Sequence, residues 1–238
     1  MKILLDTVCT MAIYKIKLIN RKEIARDTMA FYFEKPKNLS FVAGQHAVLE
    51  LPNPPETDDK GSKRVFCFAS APCEKDLMFA TRMRDTAFKR VLKTMPLGGE
   101  VIVNGPYGSF VLHEDAALPA VFLVGWIGIT PIRSMLLEAA QENSSREFYL
   151  FYSNRKPEEA AFIDELKDRA LSHYKFIPIM SDAEGYIDQA KLVKHLNNPI
   201  GPIYYVVGPP EFVLAMRGIL NEMGINPDDI KTDQFFGY

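Results

Sequence analysis

The chain has 238 residues, 47% of them hydrophobic and 24% charged, and 28 Lys and Arg against 30 Asp and Glu leave a formal charge of −2. At about 150 residues per domain this length fits one or two domains, with two the better match, and it supplies enough apolar surface to fold without metals or disulfides. The near-neutral balance excludes nucleic-acid binding driven by overall charge, and the composition excludes a disordered chain.

Residues 1–10 read as an N-terminal extension. The run Ile3-Leu4-Leu5 is broken by Asp6 and is too short for a signal peptide. From 11 to 115 the pattern is that of short strands bounded by Pro, Gly and Asn, among them Met29 to Phe33, Ala47 to Leu51, Leu77 to Thr81 and Val101 to Val103. Such spacing predicts a small antiparallel β-barrel. The charged, Pro-containing stretch Pro52 to Lys63 reads as an exposed loop. Phe88, Val91, Leu92 and Met95 mark one amphipathic helix over 87–95, with Thr86 or Asp85 as its N-cap.

From 116 to 238 strands alternate with helices. Ala120 to Val124 leads into a helix at Pro131 to Glu142, and Phe148 to Tyr152 into one at Glu158 to Leu171. Lys175 to Met180 is followed by Gln189 to Leu196, and Ile203 to Val207 by Pro210 to Met223. Near-continuous apolar strands alternating with helices predict a doubly wound parallel α/β domain, which binds ligands beyond the carboxyl ends of its strands. The uncharged run Ala116 to Ile132 is interrupted by Pro119, Gly125, Gly128 and Pro131, so it reads as strand, turn and helix, not as a membrane segment.

Cys9, Cys67 and Cys73 lack the spacing of a disulfide framework or of a zinc or iron–sulfur site, which fits a reducing, cytoplasmic setting. His46, His113, His173 and His195 are dispersed, and no metal site is expected.

Several short patterns carry chemistry. Arg64, Phe66 and Phe68 share one face of the strand Arg64-Val65-Phe66-Cys67-Phe68, placing a phosphate-gripping guanidinium near an aromatic and the Cys67 thiol. Thr81-Arg82-Met83 runs toward the helix start Thr86-Ala87-Phe88-Lys89, where free N–H groups and the helix dipole favour an anion. Leu97-Gly98-Gly99-Glu100 and Gly105-Pro106-Tyr107-Gly108 read as turns. In the second half, Gly125 to Pro131 forms the first strand-to-helix turn, with Thr130 as cap and Pro131 at the first helical position.

In order, Gly44-Gln45, Arg64-x-Phe66-Cys67-x-Ala69-Ser70, Thr86-Ala87-Phe88-Lys89, Gly105-Pro106-Tyr107-Gly108, Gly125 to Pro131, Tyr152-Ser153-Asn154-Arg155, Val207-Gly208-Pro209-Pro210 and Phe235-Phe236-Gly237-Tyr238 resemble the ferredoxin–NADP reductase superfamily. The resemblance covers about residues 12 to 238 and is nearest to compact single-chain bacterial flavin reductases. It implies an N-terminal antiparallel flavin-binding β-barrel followed by a doubly wound parallel-sheet nucleotide-binding domain. It further implies bound FAD, held by Arg64, Val65, Phe66 and Cys67, by Thr81, Arg82 and Met83, and by Thr86, Ala87 and Phe88. Cys67, Asp233 and Tyr238 take the catalytic positions, Cys67 near the hydride-accepting flavin nitrogen and Tyr238 over the ring. Gly125, Trp126, Thr130, Ser153, Asn154, Arg155, Gly208 and Pro209 fall at the nucleotide site, where Arg155 favours NADP over NAD.

The family more often has Ser or Thr at Cys67, Cys at Val207 and Gly at Trp126. The activity implied is electron passage between NADPH and a ferredoxin- or flavodoxin-type carrier; the basic patch Arg82, Arg84, Lys89, Arg90 and Lys93 suits docking of an acidic carrier or, equally, neutralisation of flavin phosphate by part of it with the rest facing water. The alternatives are an NADH-dependent flavin or cytochrome b5-type reductase, and a flavin-bearing electron-transfer subunit whose nucleotide site Trp126 blocks.

Overall fold

The computed structural model describes residues 12–168 and 171–235. The extension expected at 1–10 and the terminal Tyr238 lie outside these residues. The elements in chain order are β1 (Ala12–Ala25), β2 (Thr28–Glu34), β3 (His46–Glu50), β4 (Lys63–Cys67), β5 (Asp76–Arg82), α1 (Ala87–Thr94) and β6 (Glu100–Tyr107). They continue with β7 (Ala120–Gly125), α2 (Ile129–Gln141), β8 (Phe148–Asn154), α3 (Ile163–Lys167), β9 (Tyr174–Met180), α4 (Ser181–Glu184), α5 (Gln189–His195), β10 (Ile203–Gly208), α6 (Pro210–Glu222) and β11 (Ile230–Gln234).

The first six strands form one antiparallel sheet in the order β4-β3-β6-β1-β2-β5. Beyond β4, the Ala69 N–H donates to the Met78 carbonyl of β5 at 2.8 Å, which brings the two edge strands together at one end. Alternation drives the closure: Phe31 and Phe33 of β2, Leu49 of β3, Phe79 of β5 and Val101 and Val103 of β6 point inward to one core. The helix α1 caps it with Phe88, Val91 and Leu92, and Thr86 is its N-cap, its hydroxyl accepting from the Lys89 N–H. Gly105 to Tyr107, expected in a turn, complete β6 instead.

The second sheet is parallel, in the order β11-β10-β7-β8-β9. Every residue of β7, β8 and β10 is buried, because helices cover both faces. Ile132, Met135 and Leu136 of α2 pack on one face, and Leu192 of α5 with Val213 and Met216 of α6 on the other. Strand order reverses at β7, which places the topological switch between β7 and β10.

Three local expectations are corrected. The helix expected over 158–171 is a 3-10 turn at Pro157–Glu159 and the short α3, because Ala160 is extended and Phe162 takes a left-handed φ of 60°. The helix α2 starts at Ile129 with Gly128 at its cap, so Thr130 does not cap it; the Thr130 hydroxyl donates to the Ile127 carbonyl at 3.1 Å. The edge strand β11 was not anticipated, since Ile230-Lys231-Thr232-Asp233-Gln234 is polar and only partly buried.

The two sheets meet through α2. Arg133, 6% exposed overall, donates to the Ala69 carbonyl at 2.7 Å and pairs with Glu74 from the barrel and with Glu165 of α3, each at 2.8 Å. Ser134 adds a bond to the Ser70 carbonyl at 2.8 Å. Gly44 carries a φ of 100° and lies against Phe110 and Met135 of this seam, where a Cβ has no room.

Candidate functional site

The barrel opens on a cavity of about 490 Å³ within the size range of ligand sites. Arg64, Val65, Phe66 and Cys67 of β4, Thr81 of β5 and Thr86 before α1 line it, together with Thr130 from the α/β half and Asp233 from β11. Four expected residues stand elsewhere. Ala87 and Phe88 are buried behind the wall, and Met83 packs against the barrel core. Arg82 turns away toward the other half, its guanidinium 6.0 Å from the Trp126 ring and 3.8 Å from Glu159. Thr130, expected at the nucleotide site, lines this cavity instead. Lys89, from the helix-start motif and the basic patch, lies in its wall, and sequence reasoning missed His46 and Lys60 there.

Cations gather at one end. Arg64 lies 5.2 Å from the Phe88 ring centre, pairs with Asp58 at 2.8 Å and donates to the carbonyls of Lys60, Gly61 and Lys63. Burial works to raise the Asp58 carboxyl, but Arg64 and the amides of Lys60 and Ala87 outweigh it and hold it below its ordinary value. A side-chain carboxylate therefore sits between a guanidinium and the first amide of α1, the donor set that an anionic phosphate requires. Phe66, tilted against Phe79 and Phe88 at 6.2 and 5.9 Å, adds an aromatic flank. The donors and the apolar wall fit a cofactor with a phosphate and a flat ring.

Lys89 reports on the same end. Burial, and then the charges of Arg84, Arg64, Arg82 and Lys60, push its ammonium down to about 8, while its Nζ donates to the Arg82 carbonyl at 2.6 Å. Since this value lies below that of the unfolded chain, Lys89 favours the folded apoprotein as pH rises from about 8 toward 10.5. An incoming phosphate favours the charged form and reverses the shift. Cofactor binding at about pH 9 is thus expected to take up close to one proton, against almost none at about pH 7. Calorimetry in buffers of different ionisation enthalpy measures this uptake, and Lys89→Met should abolish it.

At the other end the Cys67 Sγ lies 3.7 Å from Asp233 Oδ2. Burial pushes the thiol well up, with Asp233 adding to the shift, so the sulfur keeps its proton. Burial also raises the Asp233 carboxyl, against the opposing pull of His46, whose own imidazole is lowered by burial. The structure brings the expected Cys67 and Asp233 together, and they come from opposite halves of the chain.

A second cavity of about 350 Å³ lies beyond the carboxyl ends of β7, β8, β9 and β10. Gly125, Trp126, Ser153, Asn154 and Pro209 line it as expected. Ser181, Tyr186, Glu211 and Phe212 were missed, because they lie on α4, on the segment after it and on α6, not in the strand-end motifs. Gly208 sits just behind the wall, against Phe212. Gly128 is needed nearby, since a Cβ there meets the Val207 carbonyl at 2.7 Å.

Arg155 is not in this wall. Its side chain is 56% exposed and pairs with Glu159 at 2.7 Å. Among the described residues the cavity wall holds no Lys or Arg, and its ionisable side chains are Glu211 and Tyr186. The expected basic patch also disperses: Arg82 turns inward, Lys89 is buried, and Arg90 pairs with Glu56 and Asp85.

Comparison with known proteins agrees with this layout. Residues 122–218 match the oxidoreductase NAD-binding domain. The reductase component of propane 2-monooxygenase from Rhodococcus jostii is 26% identical over 217 residues, covering 84% of this chain and 57% of that protein. The terephthalate 1,2-dioxygenase reductase component 2 of Comamonas is 24% identical over 212 residues, covering 84% and 60%. The chain thus spans about six-tenths of the length of these relatives. Among solved structures, a ferredoxin NADP+ reductase from Neisseria gonorrhoeae with bound FAD and NADP superposes with a TM-score of 0.78 at 22% identity, covering 94% of this chain and 99% of that one. Phthalate dioxygenase reductase superposes at 0.75 with 23% identity, covering 94% and 68%. No helix among the described residues is long and apolar enough to cross a membrane. Residues 122–218 thus match an oxidoreductase NAD-binding domain set behind an antiparallel barrel, and the whole chain has the two-domain fold of these reductase structures.

Proposed function

We propose that this protein is an FAD-dependent reductase that takes a hydride from NADH and passes electrons to an iron–sulfur or ferredoxin-type carrier. The observation that carries the reading is the pair of cavities flanking one turn: Trp126 lines the second cavity and Thr130, four residues on, lines the first. FAD, when bound, accepts two electrons as hydride and gives them up singly. Arg64, Lys89 and the α1 amides hold its phosphates, and Phe66 covers the ring. Cys67 keeps a proton beside Asp233 Oδ2, at the junction of the two halves.

The choice of NADH departs from the expectation drawn from Arg155. A 2′-phosphate carries about two negative charges and needs a cation within hydrogen-bond reach. Arg155 is tied to Glu159, the second cavity has no cationic wall residue, and Glu211 lines it while the exposed Asp182 and Glu184 flank Ser181. A carboxylate suits a ribose 2′-hydroxyl and repels a phosphate.

Steady-state turnover of the FAD-loaded protein with a one-electron dye acceptor tests the reading. NADH is expected to exceed NADPH in kcat/KM by about tenfold or more, a difference of about 1.4 kcal/mol. A preference for NADPH contradicts the cofactor choice, and no turnover with either contradicts the activity.

A further inference from the structure

Between β6 and β7 the chain crosses from the barrel to the parallel sheet in residues 108–119, which hold no helix or strand. The bonds of this segment run to the α/β half. The Arg146 guanidinium, ahead of β8 and 5% exposed overall, donates to the carbonyls of His113, Asp115 and Leu118 at 2.7, 2.8 and 3.0 Å. Lys231 of β11 donates to the Val111 carbonyl at 3.3 Å, and the Tyr205 hydroxyl of β10 accepts from the His113 amide at 2.7 Å. Phe110 packs edge-on against the same Tyr205 ring at 5.6 Å.

His113 is the side chain of this segment that titrates near neutrality. Its half-buried ring stacks on Tyr205, with centres 6.1 Å apart, and bridges two partners: Nδ1 lies 3.0 Å from the Tyr205 hydroxyl, and Nε2 is hydrogen-bonded to Arg146 Nη1. A guanidinium only donates, so Nε2 accepts and carries no proton. The ring is therefore neutral, its hydrogen on Nδ1 and donated to Tyr205. Burial lowers the imidazole, and Arg146 and Lys231 add to the shift against the Leu118 carbonyl and Asp115. Burial also pushes the Tyr205 hydroxyl up to about 12, so it stays uncharged. A proton on His113 would set a third cation beside Arg146 and Lys231 and leave Arg146 Nη1 facing an N–H.

We propose that His113 is an acid-released latch: neutral, its ring joins Arg146 to Tyr205 and fixes the segment between barrel and sheet, whereas protonated, it breaks with Arg146 and lets that segment lift off the α/β half. The latch stands on these contacts alone and does not depend on the cofactors proposed above. Because the closed state favours the neutral ring, the latch holds above about pH 6.5, the ordinary histidine value, and weakens as the pH falls below it.

Hydrogen exchange of the full chain, followed by mass spectrometry and corrected for the intrinsic effect of pH, tests the latch. The amides of Val111, His113, Ala117 and Leu118 are hydrogen-bonded and report on the segment. The open form takes a proton at the ordinary value and the closed form does not, so their protection is expected to fall about tenfold between about pH 7.5 and about pH 5.5. Amides of β8 should keep their protection over the same range. His113→Gln, which can accept from Arg146 but cannot titrate, is expected to remove the pH dependence. Nitrogen NMR of the wild type at about pH 7, which needs no variant, is expected to show a neutral His113 with its proton on Nδ1. Constant protection in the wild type, an equal fall in His113→Gln or in β8, or a His113 ring protonated on Nε2 overturns the latch.

Discussion

Replacing Arg133 with Ala is expected to destabilise the protein by about 2–3 kcal/mol, because it removes a buried guanidinium with its charge-assisted bonds and leaves two half-buried carboxylates without their counter-charge. Its guanidinium joins three segments: the Ala69 carbonyl and Glu74 beyond β4, α2 itself, and Glu165 of α3. The same guanidinium lies 5.2 Å from the Phe162 ring centre, so its loss also strips packing from the left-handed turn before α3. Urea unfolding of the apoprotein measures the loss. The triple change Arg133→Met, Glu74→Gln, Glu165→Gln should recover part of it, since it removes the charges together. The half-exposed Arg90–Glu56 and Lys63–Glu50 pairs make the contrast. Exposed pairs contribute about 0–1 kcal/mol, so Arg90→Ala should shift the urea midpoint little. Equal losses in Arg133→Ala and Arg90→Ala would refute the clasp.

Arg64→Ala is expected to weaken FAD binding by about tenfold to a hundredfold, the worth of one charge-assisted bond to an anion. Asp58→Asn should have the opposite sign. The Asp58 carboxylate occupies Arg64 at 2.8 Å and the Ala87 amide, so an incoming phosphate must displace it. Removing its charge frees the donors, and FAD is expected to bind several-fold more tightly. Titration of the apoprotein against FAD fluorescence separates the two variants. Weaker binding in Asp58→Asn would mean that the carboxylate organises the loop for the cofactor and does not compete with it.

The architecture was legible because two periodicities are strong in this chain. Alternation in segments such as Met29 to Phe33 marked barrel strands, and unbroken apolar runs such as Ala120 to Val124 marked strands buried on both faces. The pattern of α1 and its Thr86 cap were equally local. What failed was non-local. The edge strand β11 shows no apolar run, because it pairs with β10 on one side and its polar Lys231 and Asp233 are placed by contacts with Val111, Tyr205 and Cys67, all far along the chain. The helix after β8 starts late because Phe162, which precedes α3, turns left-handed with its ring against Arg133. Arg155 had the right chemistry for a phosphate, but a carboxylate four residues later captures it. Asp58 lay in a loop with nothing to mark it, until folding set it at the start of α1.

Anaerobic addition of NADH to the FAD-loaded protein, with the flavin absorbance followed in time, tests the central claim most directly. Rapid bleaching with one equivalent of NADH, and much slower bleaching with NADPH, is the expected result. Bound flavin that stays oxidised in the presence of NADH would contradict it, and would mean that the two cavities do not communicate across the Gly125–Thr130 turn.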